Sequence, residues 1–291
     1  MSDQWTTRRL LDWITGAFTD RDLDSPRLSA EILVSHVVGC ERLRLYMDPD
    51  RPASPSELDA LRDLVKRALN HEPIQHLTQT AWFFGLPFHS DARALVPRPS
   101  TETLVEHLLQ HSRRSDAAPL RRIADICTGS GCIAISLAKN LPEASFVATD
   151  LSQDALDLAR SNAESHEVAD RIEFREGNLL EPIEGDEPFD AIVSNPPYIP
   201  DHEWYAVEAN VKDHEPHSAL RGGTDGLDLI RPLFEGIAAR LAPAGWAVVE
   251  VAAAHANDAA GLADRAGLTD ITVLKDHEGL DRIVAGRRVG Q

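Results

Sequence analysis

At 291 residues, 43% of them hydrophobic and 26% charged, the chain has the composition of a globular protein. It is long enough for two domains and carries no apolar run of membrane-spanning length. Acidic residues outnumber basic ones 47 to 29, giving a formal charge of −18; this disfavours direct binding to nucleic acid and favours encounter with a basic protein. Three cysteines (Cys40, Cys127, Cys132) make no disulfide framework, and MSDQWTTRRLLDW has no signal-peptide core, so a cytoplasmic setting is expected.

Residues 1–78 read as helices. Leu10, Leu11, Ile14 and Phe18 fall at helical spacing. Ser25-Pro26 reads as an N-cap and first-turn proline ahead of RLSAEILVSHVVG, with Gly39 as terminator. Ser54-Pro55-Ser56-Glu57 is a capping box before LDALRDLVKRALN, with Asn70 as C-cap. His36 is placed on an apolar helix face, and His71 and His76 flank Pro73 without partners at metal spacing. Nothing here carries chemistry, so this reads as a helical bundle for partner recognition or stability.

Residues 79–100 read as a β-hairpin and linker. AWFFGLPFHS and ARALV are expected as short strands around the turn Ser90-Asp91. Val96-Pro97-Arg98-Pro99-Ser100-Thr101-Glu102 follows, stiffened by Pro-x-Pro, with Ser100 or Thr101 as cap of the helix ETLVEHLLQ. This stretch is a linker that can also serve as one wall of an active site.

Residues 101–291 then alternate strand and helix. RRIADIC, SFVATD, RIEFREG, DAIVSN and WAVVEV are strands, and TDITVLK and DRIVAGR complete seven. Such alternation predicts an α/β domain with a doubly wound, mostly parallel sheet, whose ligands lie beyond the carboxyl ends of the strands.

Chemistry therefore belongs in the loops there. Asp125-Ile126-Cys127-Thr128-Gly129-Ser130-Gly131 ends the first strand in a glycine turn that lets backbone approach a ligand. It is not the dinucleotide fingerprint. Asp150 ends the second strand, where an acid takes both hydroxyls of a ribose; it can equally cap the next helix ahead of Ser152. The fourth strand stops at Asn195-Pro196-Pro197-Tyr198. That turn can grip a planar –NH₂ group: the Asn195 side-chain oxygen takes one N–H, the Pro196 carbonyl the other, and Tyr198 covers the face. His202, Glu203, His214, Glu215 and His217 do not have metal-ligand spacing, so no metal is expected. Gly222-Gly223 reads as a turn, and Cys132 as a small core residue opening a helix.

Glycine turn, acidic second strand and NPPY together resemble the class I S-adenosylmethionine-dependent methyltransferases of exocyclic or amide nitrogen. ALVPRPSTE, SNPPYIP and HEPHSALRGGTDGLDLIRPL narrow the resemblance to the HemK/PrmC family, the protein-(glutamine-N5) methyltransferases of peptide-chain release factors. The similarity spans nearly the whole chain. It implies a Rossmann-like domain after a small helical one, and S-adenosyl-L-methionine as cofactor. Cys127, Thr128, Gly129, Ser130 and Gly131 would line its methionine part, Asp150 its ribose, and Asn178 and Leu179 its adenine. Asn195 would lie between cofactor and substrate, with Pro196, Pro197 and Tyr198 completing a glutamine pocket. The chain departs from the family at Cys127, where a first glycine is usual and a negative φ would be needed. It departs again at Asn178, where an acid is usual, and at Glu250–His255, which lacks the family's later Gly and Gln.

The implied substrate is the Gly-Gly-Gln loop of class I release factors. Rival readings are a ribosomal-protein glutamine, which DICTGSGC resembles, a nucleic-acid base, and a non-catalytic cofactor-binding protein. Because an amide nitrogen delocalises its lone pair, the expected mechanism uses two acceptors and in-line positioning rather than a general base.

Overall fold

The computed structural model describes residues 4–114 and 118–290. The chain divides into two compact units, Met1–Thr80 with Glu208–His214, and Ala81–Val207 with Glu215–Gln291. Among the described residues no helix is long and apolar enough to cross a membrane.

The first unit is built from α1 (Thr7–Thr19), α2 (Pro26–Val38), α3 (Arg42–Met47), α4 (Pro55–Ala68) and α5 (Ile74–Thr78). Leu10, Leu11, Ile14 and Phe18 of α1 are buried against Leu33, Val34, Leu61 and Val65, a core of this unit's own. Both halves of the capping box form at Ser54 and Glu57. Two expected caps do not. Ser25 is left-handed (φ 46°) and its hydroxyl turns to Asp24, so Pro26 opens α2 without a side-chain cap. The left-handed residue after α4 is His71 (φ 65°) rather than Asn70, because the chain continues one more turn before reversing. His36 is exposed, not on the apolar face.

The second unit begins with the hairpin β1 (Thr80–Phe83) and β2 (Leu86–His89). Its turn is Phe84-Gly85, both at positive φ, not Ser90-Asp91, and residues 92–96 form no strand. Positive φ at both central residues suits the twist of a tight hairpin. The Phe84 N–H is fixed by Glu102 Oε1 at 2.7 Å. Next come α6 (Pro99–Ser112), β3 (Arg122–Ile126), α7 (Cys132–Asn140), β4 (Ser145–Asp150), α8 (Gln153–Ser165), β5 (Ile172–Glu176) and β6 (Phe189–Ser194). After α9 (Ala209–Lys212), which packs with the first unit, the chain forms α10 (Ile230–Arg240), β7 (Leu241–Glu250), α11 (Ala256–Arg265), β8 (Leu268–Lys275) and β9 (Asp281–Arg288).

Seven strands form one sheet in the order β5-β4-β3-β6-β7-β9-β8, parallel except for β9, which runs antiparallel to both neighbours. Apolar clusters cover both faces, as near-continuous apolar strands such as DAIVS require. Register places the site. Thr149 of β4, Ile126 of β3, Ser194 of β6 and Val249 of β7 are successive partners across the sheet. The residues that follow them, Asp150, Cys127, Asn195 and Glu250, therefore stand in a row along the carboxyl edge.

Candidate active site

A cavity of about 310 Å³ lies along that row, lined within the second unit by Cys127, Thr128, Gly129, Ser130, Asp150, Asn178, Leu179, Asn195 and Pro197 among others. Of the residues expected from sequence, Gly131, Pro196 and Tyr198 are not in its wall. Gly131 (φ 81°) is the N-cap of α7, and a methyl group there would meet Ile135 Cδ1 at 3.0 Å and Ala159 Cβ at 3.1 Å. Its role is to bring α7 and α8 close, beneath the turn rather than on it.

The glycine turn is held from both sides. Thr128 donates its N–H to the Thr149 carbonyl, and Gly129 donates to Asp150 Oδ2 at 2.9 Å. Asp150 Oδ1 accepts the Ser152 N–H at 3.0 Å, while Ser152 itself caps α8. The Asp150 carboxylate thus ties the turn to the start of α8 and still has lone pairs facing the cavity; burial raises its pKa. Cys127 sits at φ 60°, correcting the expectation of a negative φ. The turn imposes a left-handed residue at this point, and a cysteine holds it at a cost of roughly 1 kcal/mol or more. Burial pushes the Cys127 thiol far up and Cys132 up to about 12, so neither is a nucleophile.

Asn195 is held by a chain of hydrogen bonds that reaches Glu250. Its Nδ2 donates to Thr101 Oγ1 at 3.1 Å, and Thr101 donates to Glu250 Oε2 at 2.6 Å. Glu250 Oε1 accepts from Ser100 at 3.1 Å and from the Tyr198 hydroxyl at 3.4 Å. Ser100 and Thr101 are therefore not caps: α6 starts at Pro99, and both hydroxyls turn to a carboxylate on β7. Tyr198 is anchored by its phenol instead of covering a ligand face. Glu250 has no exposed surface, and burial raises its pKa.

The stretch between the hairpin and α6 closes one side. Ala94, Pro97, Arg98 and Thr101 line the cavity. Glu215 fastens this stretch, accepting the Val96 N–H at 3.0 Å and an Arg98 N–H at 2.6 Å. The HEPH loop is thus clamped through a buried carboxylate. His202 and Glu203 stay exposed, and among the described residues no three His, Cys, Asp or Glu side chains gather as a metal set.

Comparison with known proteins agrees with this arrangement. Residues 9–78 match a PrmC N-terminal domain, and residues 98–215 a methyltransferase small domain. The chain is 41% identical to a release factor glutamine methyltransferase of Geobacter sulfurreducens, over 97% of each chain. It is 40% identical to one of Chlorobaculum tepidum, over 96% of each. The chain belongs to the release factor glutamine methyltransferase family. A solved methyltransferase from Pyrococcus furiosus shares the fold at 18% identity (TM-score 0.51), over 71% of this chain and 91% of that one. The family's second domain here is accordingly a class I methyltransferase fold, preceded by a helical domain and a small hairpin.

Methyltransferases of this fold use S-adenosylmethionine, and the cavity fits it. Gly129 (φ 55°) opens toward the ligand space, where an added methyl group would meet nothing nearer than Ala94 Cβ at 3.9 Å. Ser130 Oγ is buried at the cavity wall with no partner among the described residues. A carboxylate at Asp150 and an amide at Asn178 supply acceptors for hydroxyl and amino groups. For this methyltransferase the contributions of Thr101, Glu215 and Glu250 were not visible in sequence. Glu250 lies 149 positions from Thr101, and its one signal was a strand-ending acid placed level with Asn195.

Proposed function

We propose that this chain transfers a methyl group from S-adenosylmethionine to the side-chain amide nitrogen of a glutamine in a release factor, the Gly-Gly-Gln loop of class I factors being the favoured target. The observation that carries this reading is the placement of Asn195 and Pro197 on the same cavity as the glycine turn and Asp150. With Cys40, Cys127 and Cys132 all free thiols, a reducing compartment, the cytoplasm, suits the protein.

When bound, S-adenosylmethionine supplies an electrophilic methyl group. The chain's own part is positioning and electrostatics. Asp150, Asn178 and the 127–130 backbone hold the nucleoside and its tail. Asn195 Oδ1 accepts an N–H of the glutamine amide, favouring the form in which nitrogen recovers its lone pair. Positive charge developing on that nitrogen faces this acceptor. No side chain has to remove a proton beforehand, because an N-protonated amide loses one readily. Orientation of this kind supplies roughly 7–11 kcal/mol in well-aligned pairs.

Mass spectrometry after incubation with cofactor tests the reading, with a release factor, a ribosomal protein and an oligonucleotide as parallel substrates. Methylation of the release-factor glutamine is expected; methyl on the oligonucleotide alone refutes it. Asn195→Ala should lower kcat by about 100-fold or more, with cofactor affinity changed little by calorimetry. Turnover near the unsubstituted rate would remove Asn195 from the mechanism.

A further inference from the structure

The geometry points to Glu250 as a positioning residue for the reaction: acting through Thr101, it fixes which end of the Asn195 side chain faces the cavity. An asparagine amide is nearly symmetric in shape, and only its oxygen can accept an N–H from a substrate amide. Turned the other way, Asn195 would present two donors to a donor, and the site would repel the group it must hold. Something has to select the orientation.

Thr101 makes that selection, because a hydroxyl has one proton to give. That proton goes to Glu250 Oε2 at 2.6 Å, the shortest bond in the network, and both Glu250 oxygens are placed as acceptors. With its proton committed, Thr101 Oγ1 can only accept from Asn195, so the atom 3.1 Å away must be Nδ2. Oδ1 is left for the cavity. Glu250 is in turn fixed by Ser100 and Tyr198, so one carboxylate joins the start of α6, the NPPY turn and the end of β7. Glu250 is not in the cavity wall and touches no reacting atom. With Oε2 accepting from Thr101 and Oε1 from Ser100 and Tyr198, Glu250 sets the direction of the relay.

This inference rests on the reading of Asn195 as the acceptor for the glutamine amide. Thr101→Val keeps the shape and removes the relay. It should lower kcat for release-factor methylation by about 10-fold or more, the worth of one unpaired buried donor. S-adenosylmethionine affinity should stay within about twofold by calorimetry, and Thr101→Ser, which keeps the hydroxyl, should restore most of the rate. Adding Glu250→Gln to Thr101→Val should cost little more, since the two act in series. Should Thr101→Val fail to fold, nuclear magnetic resonance of the unsubstituted protein decides. The Asn195 side-chain amide, assigned by its loss in Asn195→Ala, should exchange with solvent more slowly than exposed asparagine amides; exchange as fast as theirs overturns the inference. So does a Thr101→Val enzyme with unchanged kcat, or one whose cofactor affinity falls in step with kcat. If Asn195→Ala is inactive while Thr101→Val is normal, only the relay is wrong. If Asn195→Ala is itself normal, the reading of Asn195 falls, and the relay with it.

Discussion

Asp125 is a carboxylate with no exposed surface, placed directly under the glycine turn. Its Oδ2 accepts from the Thr128 hydroxyl at 2.6 Å and from the Ala134 N–H at 3.1 Å, while Oδ1 has no partner among the described residues. Burial pushes its pKa up to about 7, and the charge of Asp150 adds to the rise. The sign follows from linkage: between the ordinary value of 3.8 and about 7 the folded state holds a proton that the unfolded state has released. Asp125 therefore costs stability progressively as pH rises through that window, and the cost is complete above it. Asp125→Asn should raise Tm more at pH 8 than at pH 5, and scanning calorimetry at the two pH values measures this; an equal shift at both would contradict the assignment. At this scale the sequence was legible wherever a side chain meets its own neighbourhood, as in the capping box of Ser54 and Glu57. It was illegible where a distant group decides. Nothing in DICTGSG signals that Cys127 must be left-handed, and nothing near Ser100 or Thr101 tells that their hydroxyls serve a strand 149 residues on instead of their own helix.

Between residue and domain, the loop that follows the NPPY turn holds it by backbone contact. Gly222 and Gly226 press on Tyr198: a methyl group on Gly222 would lie 2.6 Å from Tyr198 Cα, and one on Gly226 2.5 Å from the Tyr198 carbonyl oxygen. The Gly222 N–H donates to the Ile199 carbonyl at 2.8 Å, and Ile199 donates to Leu220, completing the clamp. The turn expected at Gly222-Gly223 falls instead as a bend over Thr224, Asp225 and Gly226, and close approach between backbones leaves no trace beyond the glycines themselves. Gly222→Ala should cost about 1–3 kcal/mol in denaturant unfolding, and should lower kcat more than cofactor affinity because the displaced backbone adjoins Pro196 and Pro197. A variant as stable and active as the parent would show that the loop yields freely. The hairpin teaches a similar lesson. Of the two strands expected, ARALV forms none, and AWFFGLPFHS holds both, because the turn falls on Phe84-Gly85, where Glu102 of α6 fixes a backbone N–H that no local pattern reveals.

At the scale of the whole chain, the alternation of strand and helix exposed the seven-stranded sheet almost completely. Long apolar strands separated by capped helices admit few arrangements. The division of labour follows from where the cavity lies: every lining residue belongs to the second unit. The first unit has its own core and displays large apolar side chains on α3, with Leu43 and Met47 each 68% exposed. Only a contiguous apolar patch marks a binding surface, so whether these side chains serve one is decided by substitution. Leu43→Glu combined with Met47→Glu should raise KM for an intact release factor about fivefold or more, in keeping with the loss of one contact patch. It should leave kcat, and KM for a short glutamine peptide, unchanged. Steady-state kinetics with both substrates separates the two, and equal effects on both would assign α3 to the fold alone.

The place of β9 has a consequence for how the molecule is assembled. It is the last strand in chain order, yet it lies between β7 and β8 and supplies the sheet partner of both. While residues 281–288 are still being synthesised, β7 carries a bare edge of Ala247, Val248 and Val249, and β8 has nothing to pair with. A nascent chain in that condition is a template for another strand. The hazard of misassembly lasts until β9 has taken its place between β7 and β8.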